Sequence, residues 1–405
     1  MTERLYYYDS FLLEFAARVT DVRQENGRTA VVLDRTAFYP TSGGQVFDTG
    51  WLEVNGNRVR VEEVSETDTG DILHLTGSDE FKFGTGQAVR GQVDVERRRD
   101  HMQQHSGQHV LSAAFEKRYG MKTVSFHMGD ESCTIDLETK ALNEEQMRAV
   151  ELESNRVVTQ DLLVTILAAT VEDARAMGVR KIPDHVEGKL RIIDMAGYDV
   201  NACGGTHVRS TGQIGAVLLR KAEKVRQGYR VEFVCGERAI RTARRDFDSL
   251  TEAAKLFDTQ IWQLPELIRK SQEDNKAAGK ERKKLLEELA ELLAGRLLAE
   301  SREMNSGVKL VTRVFDDRDT GFIKLLAQKV TAAGPSVALL GAKAGQAGVV
   351  FAQSPGLPND MGGLMKEALV ALGGRGGGNR DLAQGGAADA ESIQNVVDQA
   401  AEKIC

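Results

Sequence analysis

The chain has few cysteines, no excess of positive charge and no long apolar run, and each shortage excludes something. No stretch of its 405 residues approaches the ~20 apolar residues of a membrane-spanning helix. The N-terminus, MTERLYYYDSFLLEF, carries early charges and lacks the apolar centre of a secretion signal. The four cysteines, Cys133, Cys203, Cys235 and Cys405, are scattered without a disulfide-type framework, which fits a reducing compartment. With 53 basic against 60 acidic residues the formal charge is −7, so any RNA contact must come from local basic patches. The expectation is a soluble cytoplasmic protein of two or three domains, each with its own core.

What is present centres on residues 100–110, DHMQQHSGQHV, which place His105 and His109 four residues apart. Residues Val110 to Phe115 continue as an amphipathic helix. Residues i and i+4 share a helix face, so both imidazoles can reach one metal ion. A lone pair of this kind more often faces solvent. Far along the chain, residues 201–208, NACGGTHV, set Cys203 and His207 also four apart, with two glycines implying a tight turn. Two helix nitrogens, one thiolate and one further nitrogen make a tetrahedral zinc set. The zincin motif is excluded, because Ser106 stands where its glutamate base would be. His101, His127 and His185 read as structural, not as general bases.

The overall class is α+β. Residues 1–90 form an N-terminal β-barrel-like domain of short strands, with Asn55-Gly56 as a hairpin turn. Residues 91–240 form an α+β zinc-containing domain. Residues 241–306 form a helical linker whose leucines, Leu285, Leu286, Leu289, Leu292, Leu293, Leu297 and Leu298, recur at amphipathic or coiled-coil spacing. Residues 307–405 form an α/β domain with a glycine-rich run over residues 373–386. That run reads equally as a flexible loop or as a phosphate cradle of backbone N–H groups, helped by Arg375 and Arg380. It is no P-loop, since the Gly-Lys-Ser/Thr ending is missing.

Two basic clusters stand near the metal motifs: Arg97, Arg98 and Arg99, and then Arg220, Lys221, Lys224, Arg226 and Arg230. Such clusters are usually solvated surface. Their nearness to the metal motifs points to phosphate contact through Arg97, Arg98, Arg220, Lys221 and Lys224. Residues 37–50, AFYPTSGGQVFDTG, form a polar loop in which Thr41 and Ser42 offer hydroxyls, Gln45 an amide, and Gly43 and Gly44 a close backbone approach.

In that order, FYPTSGGQVFDTG, HSGQH and CGGTHV resemble the editing domain of alanyl-tRNA synthetase. The linker and glycine-rich tail resemble that enzyme's C-terminal domain. A chain beginning with the editing domain is similar to the long form of the free-standing alanyl-tRNA editing proteins. The resemblance covers essentially the whole chain. It implies hydrolysis of tRNA(Ala) mischarged with serine or glycine, with the alanyl ester spared. It implies one zinc per chain on His105, His109, Cys203 and His207. Thr41 matches a threonine that helps recognise the serine hydroxyl, with Gly43 and Gly44 in the glycine motif beside it. It further implies tRNA gripped by the C-terminal domain and a homodimer joined through the linker, so that truncation near Glu237 weakens tRNA binding. Two departures stand out. Phe126 and His127 follow Val124-Ser125 where a glutamine is usual, and Asn379 stands where a proline is expected.

The chemistry explains why such a site is needed. Serine is alanine plus a hydroxyl, and a small apolar pocket rejects it only by roughly a hundredfold. A buried group that hydrogen-bonds the hydroxyl discriminates by about 10⁴ to 10⁵. Four protein ligands close a zinc site and make it an organiser, whereas a loose ligand leaves an open position for chemistry. Two other readings remain: editing of another mischarged tRNA of the threonyl type, and a non-catalytic zinc-containing RNA-binding protein.

Overall fold

A computed structural model describes the chain except residues 26, 78–80, 181, 183–187, 305, 306 and 405. His185 and the loop that carries it lie outside the described residues. The chain divides into two compact units, Met1–Glu252 and Ala253–Cys405. The expected barrel and zinc-containing parts both fall in the first. Among the described residues no helix is long and apolar enough to cross a membrane.

The first unit opens with a short parallel pair, β1 (Glu3–Arg4) against β4 (Arg35–Thr36). The strands β2 (Glu14–Glu25), β3 (Arg28–Leu33), β5 (Gly50–Val54), β6 (Asn57–Glu66), β7 (Ile72–Thr76) and β8 (Ala88–Val93) close a barrel in the order β2-β3-β7-β6-β5-β8. Closure leaves no open edge. Alternation in β2 turns Phe15, Ala17 and Val19 inward, onto Leu33, Phe38, Leu52, Val61 and Val93. The β5–β6 hairpin turns on Asn55 and Gly56, both at positive φ, as a type I′ turn requires.

His74, on β7, is fully buried inside this unit. Its Nδ1 lies 2.9 Å from the Val31 carbonyl and its Nε2 2.8 Å from the Thr36 hydroxyl. A carbonyl only accepts, so Nδ1 carries the proton and Nε2 accepts from Thr36. Burial pushes the imidazole down to about 4, against the opposing bond to Val31. The unfolded chain therefore takes up the proton first as pH falls below 6.5, and the native state loses stability from there down to about 4. The full loss is ~3 kcal/mol. Denaturant titrations across this window should give a stability slope up to ~1.4 kcal/mol per pH unit steeper for the wild type than for His74→Leu. Equal slopes would remove His74 from the account.

The rest of the unit is built round α1 (Val95–Tyr119). Gly120, at φ +67, ends it. It is followed by β9 (Lys122–Met128), β10 (Cys133–Glu138), α2 (Glu144–Thr159), β11 (Val164–Ala169), α3 (Val171–Ala176), β12 (Leu190–Met195), β13 (Val200–Ala202), β14 (Val217–Val225) and β15 (Gly228–Cys235). These strands form an antiparallel sheet β14-β15-β10-β9 and a smaller sheet β11-β12-β13. The expected amphipathic helix is corrected here, because α1 is buried on every side from His101 to Phe115. Its apolar residues Val110, Leu111 and Phe115 join Met128, Ile135, Val157, Ile193 and Phe233 in one core. Its polar residues are buried because they find partners. Gln104, for example, donates to the Cys235 carbonyl at 2.9 Å and accepts from the Cys235 N–H at 2.8 Å.

The boundary between the units falls within α4 (Gly236–Leu256). The second unit holds α5 (Leu264–Glu300), β16 (Arg302–Glu303), β17 (Lys309–Phe315), α6 (Thr320–Ala333), β18 (Ser336–Ala342), β19 (Gly348–Gln353), α7 (Met361–Leu372), β20 (Gly376–Gly378), β21 (Leu382–Gly386) and α8 (Ile393–Glu402). Its sheet runs β16-β17-β18-β19-β21-β20, with β17 and β18 parallel. Alternate residues serve two faces. Val311, Ala338 and Leu340 pack with α5 and α6, while Leu310, Val337 and Leu339 pack with α7 and α8. Most of the linker leucines are thereby covered within the chain: Leu286, Leu289, Leu293, Leu297 and Leu298 pack on the α5–α6 core, and only Leu285 and Leu292 stay exposed. The glycine-rich run supplies β20 and β21 and is not an open loop along its length.

Candidate metal centre and cavity

His105 and His109 project from successive turns of α1, their ring centroids 5.2 Å apart. Cys203 and His207 come from the turn after β13. The four ligand atoms lie within 4.8 Å of one another. Cys203 Sγ is 3.4 Å from His105 Nε2 and 3.3 Å from His207 Nε2. Nitrogen and sulfur ligands ~2.0–2.3 Å from a tetrahedral zinc sit roughly 3.3–3.8 Å apart, so the donor set fits that metal.

Each histidine is held from behind. His105 Nδ1 donates to Gln45 Oε1 at 2.7 Å, His109 Nδ1 to Asp199 Oδ2 at 2.7 Å, and His207 Nδ1 lies 3.1 Å from Ser106 Oγ. These contacts leave the three Nε2 atoms for a metal. Asp199 also accepts from Arg180, which reaches Glu116 as well. The turn itself is pinned by Arg191, which donates to the Cys203 and Gly205 carbonyls at 2.6 and 2.9 Å. Gly205 must be glycine, since a Cβ there would collide with the His105 ring.

With no metal bound, the charges of the cluster centre on a Cys203 thiolate and a protonated His109, whose Nε2 proton a metal would displace. Burial would raise the Cys203 thiol, but His105 and His207 beside it outweigh that and hold it well below its ordinary value, as a thiolate. Burial lowers His207 to about 3. Burial would also lower His109, but the bonds to Asp199 and Cys203 win and raise it to about 9.

The cluster forms one wall of a cavity of ≈ 690 Å³ whose lining includes Ser42, Gly43, His105, Gln108, His109, Phe126 and Cys203. This lies within the ~300–1,000 Å³ of small-ligand sites. The 41–44 loop contributes Ser42 and Gly43 to the lining that holds the metal ligands. Thr41 is exposed and outside that lining. Gly44 approaches protein and not ligand, because a Cβ there would collide with the Phe126 carbonyl.

The basic residues divide. Arg98, expected at a phosphate, is completely buried. It holds Asp48 and donates to the Ser10 carbonyl at 2.7 Å. Each of its three nitrogens is bonded at the barrel–α1 junction, and, buried there, it cannot touch RNA. Arg97 donates to the Phe47 carbonyl at 2.9 Å over the Phe47 ring. Arg220 pairs with Asp246, and Lys221 lies near Glu223 and Glu232. Lys224 and Arg375 are exposed, and Arg380, also exposed, reaches the Pro358 carbonyl at 3.2 Å. His127 is exposed on β9, and His101 is buried near Asp48. Sequence reasoning missed Asp199, Arg180 and the support from Ser106. No local signal marked Asp199, whose partner His109 lies 90 positions away.

Known proteins give the class first. The family model "tRNA synthetases class II (A)" matches residues 6–97, and "Threonyl and Alanyl tRNA synthetase second additional domain" matches residues 190–231, which include Cys203 and His207. Those two stretches are similar to domains of class II synthetases and of the threonyl and alanyl synthetases. Over 95% of its length it is 33% identical to alanyl-tRNA editing protein AlaX-L of Pyrococcus horikoshii, covering 94% of that protein. The chain belongs to the alanyl-tRNA editing protein family. It is also 33% identical, over 98% of its length, to the alanine–tRNA ligase of Pyrococcus abyssi, but spans only 43% of that enzyme. Among solved structures, the C-Ala domain of Aquifex aeolicus alanyl-tRNA synthetase matches 22% of this chain and 89% of its own, at 24% identity and a TM-score of 0.20. That score is too low to bear on the fold.

Proposed function

We propose that this chain is a cytoplasmic hydrolase that deacylates mischarged tRNA(Ala). Seryl-tRNA(Ala) is its main substrate, glycyl-tRNA(Ala) a second, and alanyl-tRNA(Ala) is spared. The observation that carries this reading is the convergence of His105, His109, Cys203 and His207 on a cavity wall shared with the 41–44 loop. The cavity is roomy enough for an aminoacyl group on a terminal nucleoside. Zinc held by His105, His109, Cys203 and His207 would supply a fixed positive charge in the cavity wall and tie α1 to the Cys203–His207 turn. The chain's own task is orientation, because an aminoacyl ester is already activated and needs mainly a positioned water. Hydrolysis breaks the acyl C–O bond, and the proton goes to the ribose oxygen that leaves.

The side chain of the amino acid is read from within the cavity, where Ser42 and Gly43 stand. An exposed hydroxyl adds little discrimination because water replaces it. Thr41→Ala should therefore change the seryl-to-alanyl rate ratio by less than about tenfold, well short of the 10⁴ to 10⁵ that a buried partner contributes. A loss of that larger size would return Thr41 to the role the sequence gave it.

Lys224, Arg375 and Arg380 are the exposed members of the basic set and the ones we assign to tRNA backbone. The second unit adds grip on tRNA, and α5 offers Leu285 and Leu292 to a second copy in a homodimer. Truncation near Glu237 is the wrong test, because Arg238 is buried against Asp100 and the Gly129 carbonyl. Removal of residues 253–405 should weaken tRNA binding more than it slows hydrolysis at saturating tRNA. Unchanged affinity would contradict this.

A further inference from the structure

We propose that Gln45 is a positioning residue that couples metal binding at His105 to the order of the Ser42–Gln45 turn in the cavity wall. The proposal rests on the metal-centre reading above. Gln45 is fully buried. Its Oε1 accepts from His105 Nδ1 at 2.7 Å and from the Thr206 N–H at 3.1 Å, and its Nε2 donates to Thr206 Oγ1 at 2.9 Å. A backbone N–H can only donate, so the amide oxygen must face it. The imidazole must then donate from Nδ1, which commits Nε2 to the ligand position. One side chain thus sets the His105 tautomer and joins both ligand-bearing segments.

The same residue closes the cavity loop. Ser42 N–H donates to the Gln45 carbonyl and Gln45 N–H to the Ser42 carbonyl, each at 3.0 Å. A second route runs in parallel: the Gly44 carbonyl accepts from Met128 N–H at 3.0 Å, and Phe126, against Gly44, stacks on the His105 ring at 5.4 Å and 29°. The ligand imidazole therefore touches the loop twice, and Gln45 is the link that also fixes the proton. A shift of His105 must be matched by the turn, because Gly205 packs on the His105 ring and Gly44 on Phe126 too closely to admit even a Cβ. Binding energy at the metal then stabilises the loop, and the coupling is reciprocal.

The test is amide exchange at Ser42, Gln45 and Thr206 in the full-length wild type, with zinc bound and after chelation. Zinc affinity is measured alongside by chelator competition for wild type, Gln45→Leu and Gln45→Glu. Chelation should accelerate exchange at these amides by about 5- to 150-fold, the range of such couplings. Gln45→Leu should bind zinc about 10- to 100-fold more weakly and its loop should stop responding to the metal. Gln45→Glu keeps an acceptor for His105 Nδ1 and the Thr206 N–H, lets the Thr206 hydroxyl donate where Nε2 donated, and should restore most of the affinity. Zinc bound normally by Gln45→Leu, or wild-type exchange indifferent to zinc, overturns the coupling and leaves the metal centre standing. A wild type that binds no zinc overturns the metal centre itself. If Gln45→Leu does not fold, the wild-type exchange comparison decides alone.

Discussion

His105→Ala is expected to strip zinc from the protein and to slow deacylation of mischarged tRNA(Ala) by more than roughly a hundredfold. Loss of an outer partner alone typically costs 10- to 100-fold in metal affinity or activity, and His105 is both ligand and hub. It meets Cys203 Sγ at 3.4 Å, Gln45 at 2.7 Å and the Phe126 ring at 5.4 Å. Its removal leaves three ligands and leaves the buried Gln45 Oε1 with the Thr206 N–H alone. Cys203→Ala should also weaken zinc retention, because a thiolate brings negative charge that alanine cannot. Zinc content by metal analysis and single-turnover hydrolysis on the same preparation check both variants. Full activity in a metal-free His105→Ala protein would refute the assignment.

Arg98→Ala is expected to destabilise the first unit by about 3–5 kcal/mol, the cost of leaving one member of a buried ion pair alone. Arg98 and Asp48 are both fully buried. Arg98 Nε lies 3.1 Å from Asp48 Oδ2, Nη1 donates to the Ser10 carbonyl at 2.7 Å and Nη2 to the Ala37 carbonyl at 2.5 Å. Asp48 in turn accepts from Tyr39 N–H at 2.8 Å, at the head of the cavity loop. The cation thus clamps the barrel, the N-terminal segment and α1 together. Arg98→Lys should recover only part of the loss, since an ammonium cannot reproduce the planar fork. Denaturant unfolding measures the effect. If Arg98 served RNA phosphate instead, Arg98→Ala would keep wild-type stability and lose tRNA affinity.

That contrast shows where sequence stops being legible. Four metal ligands could be read because His105/His109 and Cys203/His207 each have ligand spacing, and the CGGTH glycines announce a turn. The barrel was readable from short alternating strands and from Asn55-Gly56. What completes the centre was not readable, because Gln45 and His105 are 60 positions apart and Asp199 and His109 are 90 apart. No local pattern encodes such pairings. Arg97, Arg98 and Arg99 look alike as a cluster, and only the closure of Asp48 over the middle one separates clamp from surface. The residues of α1 read as half-apolar because periodicity assumes one wet face, whereas this helix hides its glutamines and histidines behind partners. The linker leucines read as either an amphipathic helix or a coiled coil because spacing cannot say whether the covering surface is another chain or α6.

The most direct measurement is the hydrolysis of seryl-tRNA(Ala) against alanyl-tRNA(Ala) by the purified full-length protein, with zinc content recorded. The expected result is rapid loss of the seryl ester only, with about one zinc per chain as a four-ligand site requires. Zinc bound with neither ester cleaved would contradict the hydrolase reading and leave a zinc-containing RNA-binding protein, or an editor of another tRNA, in its place.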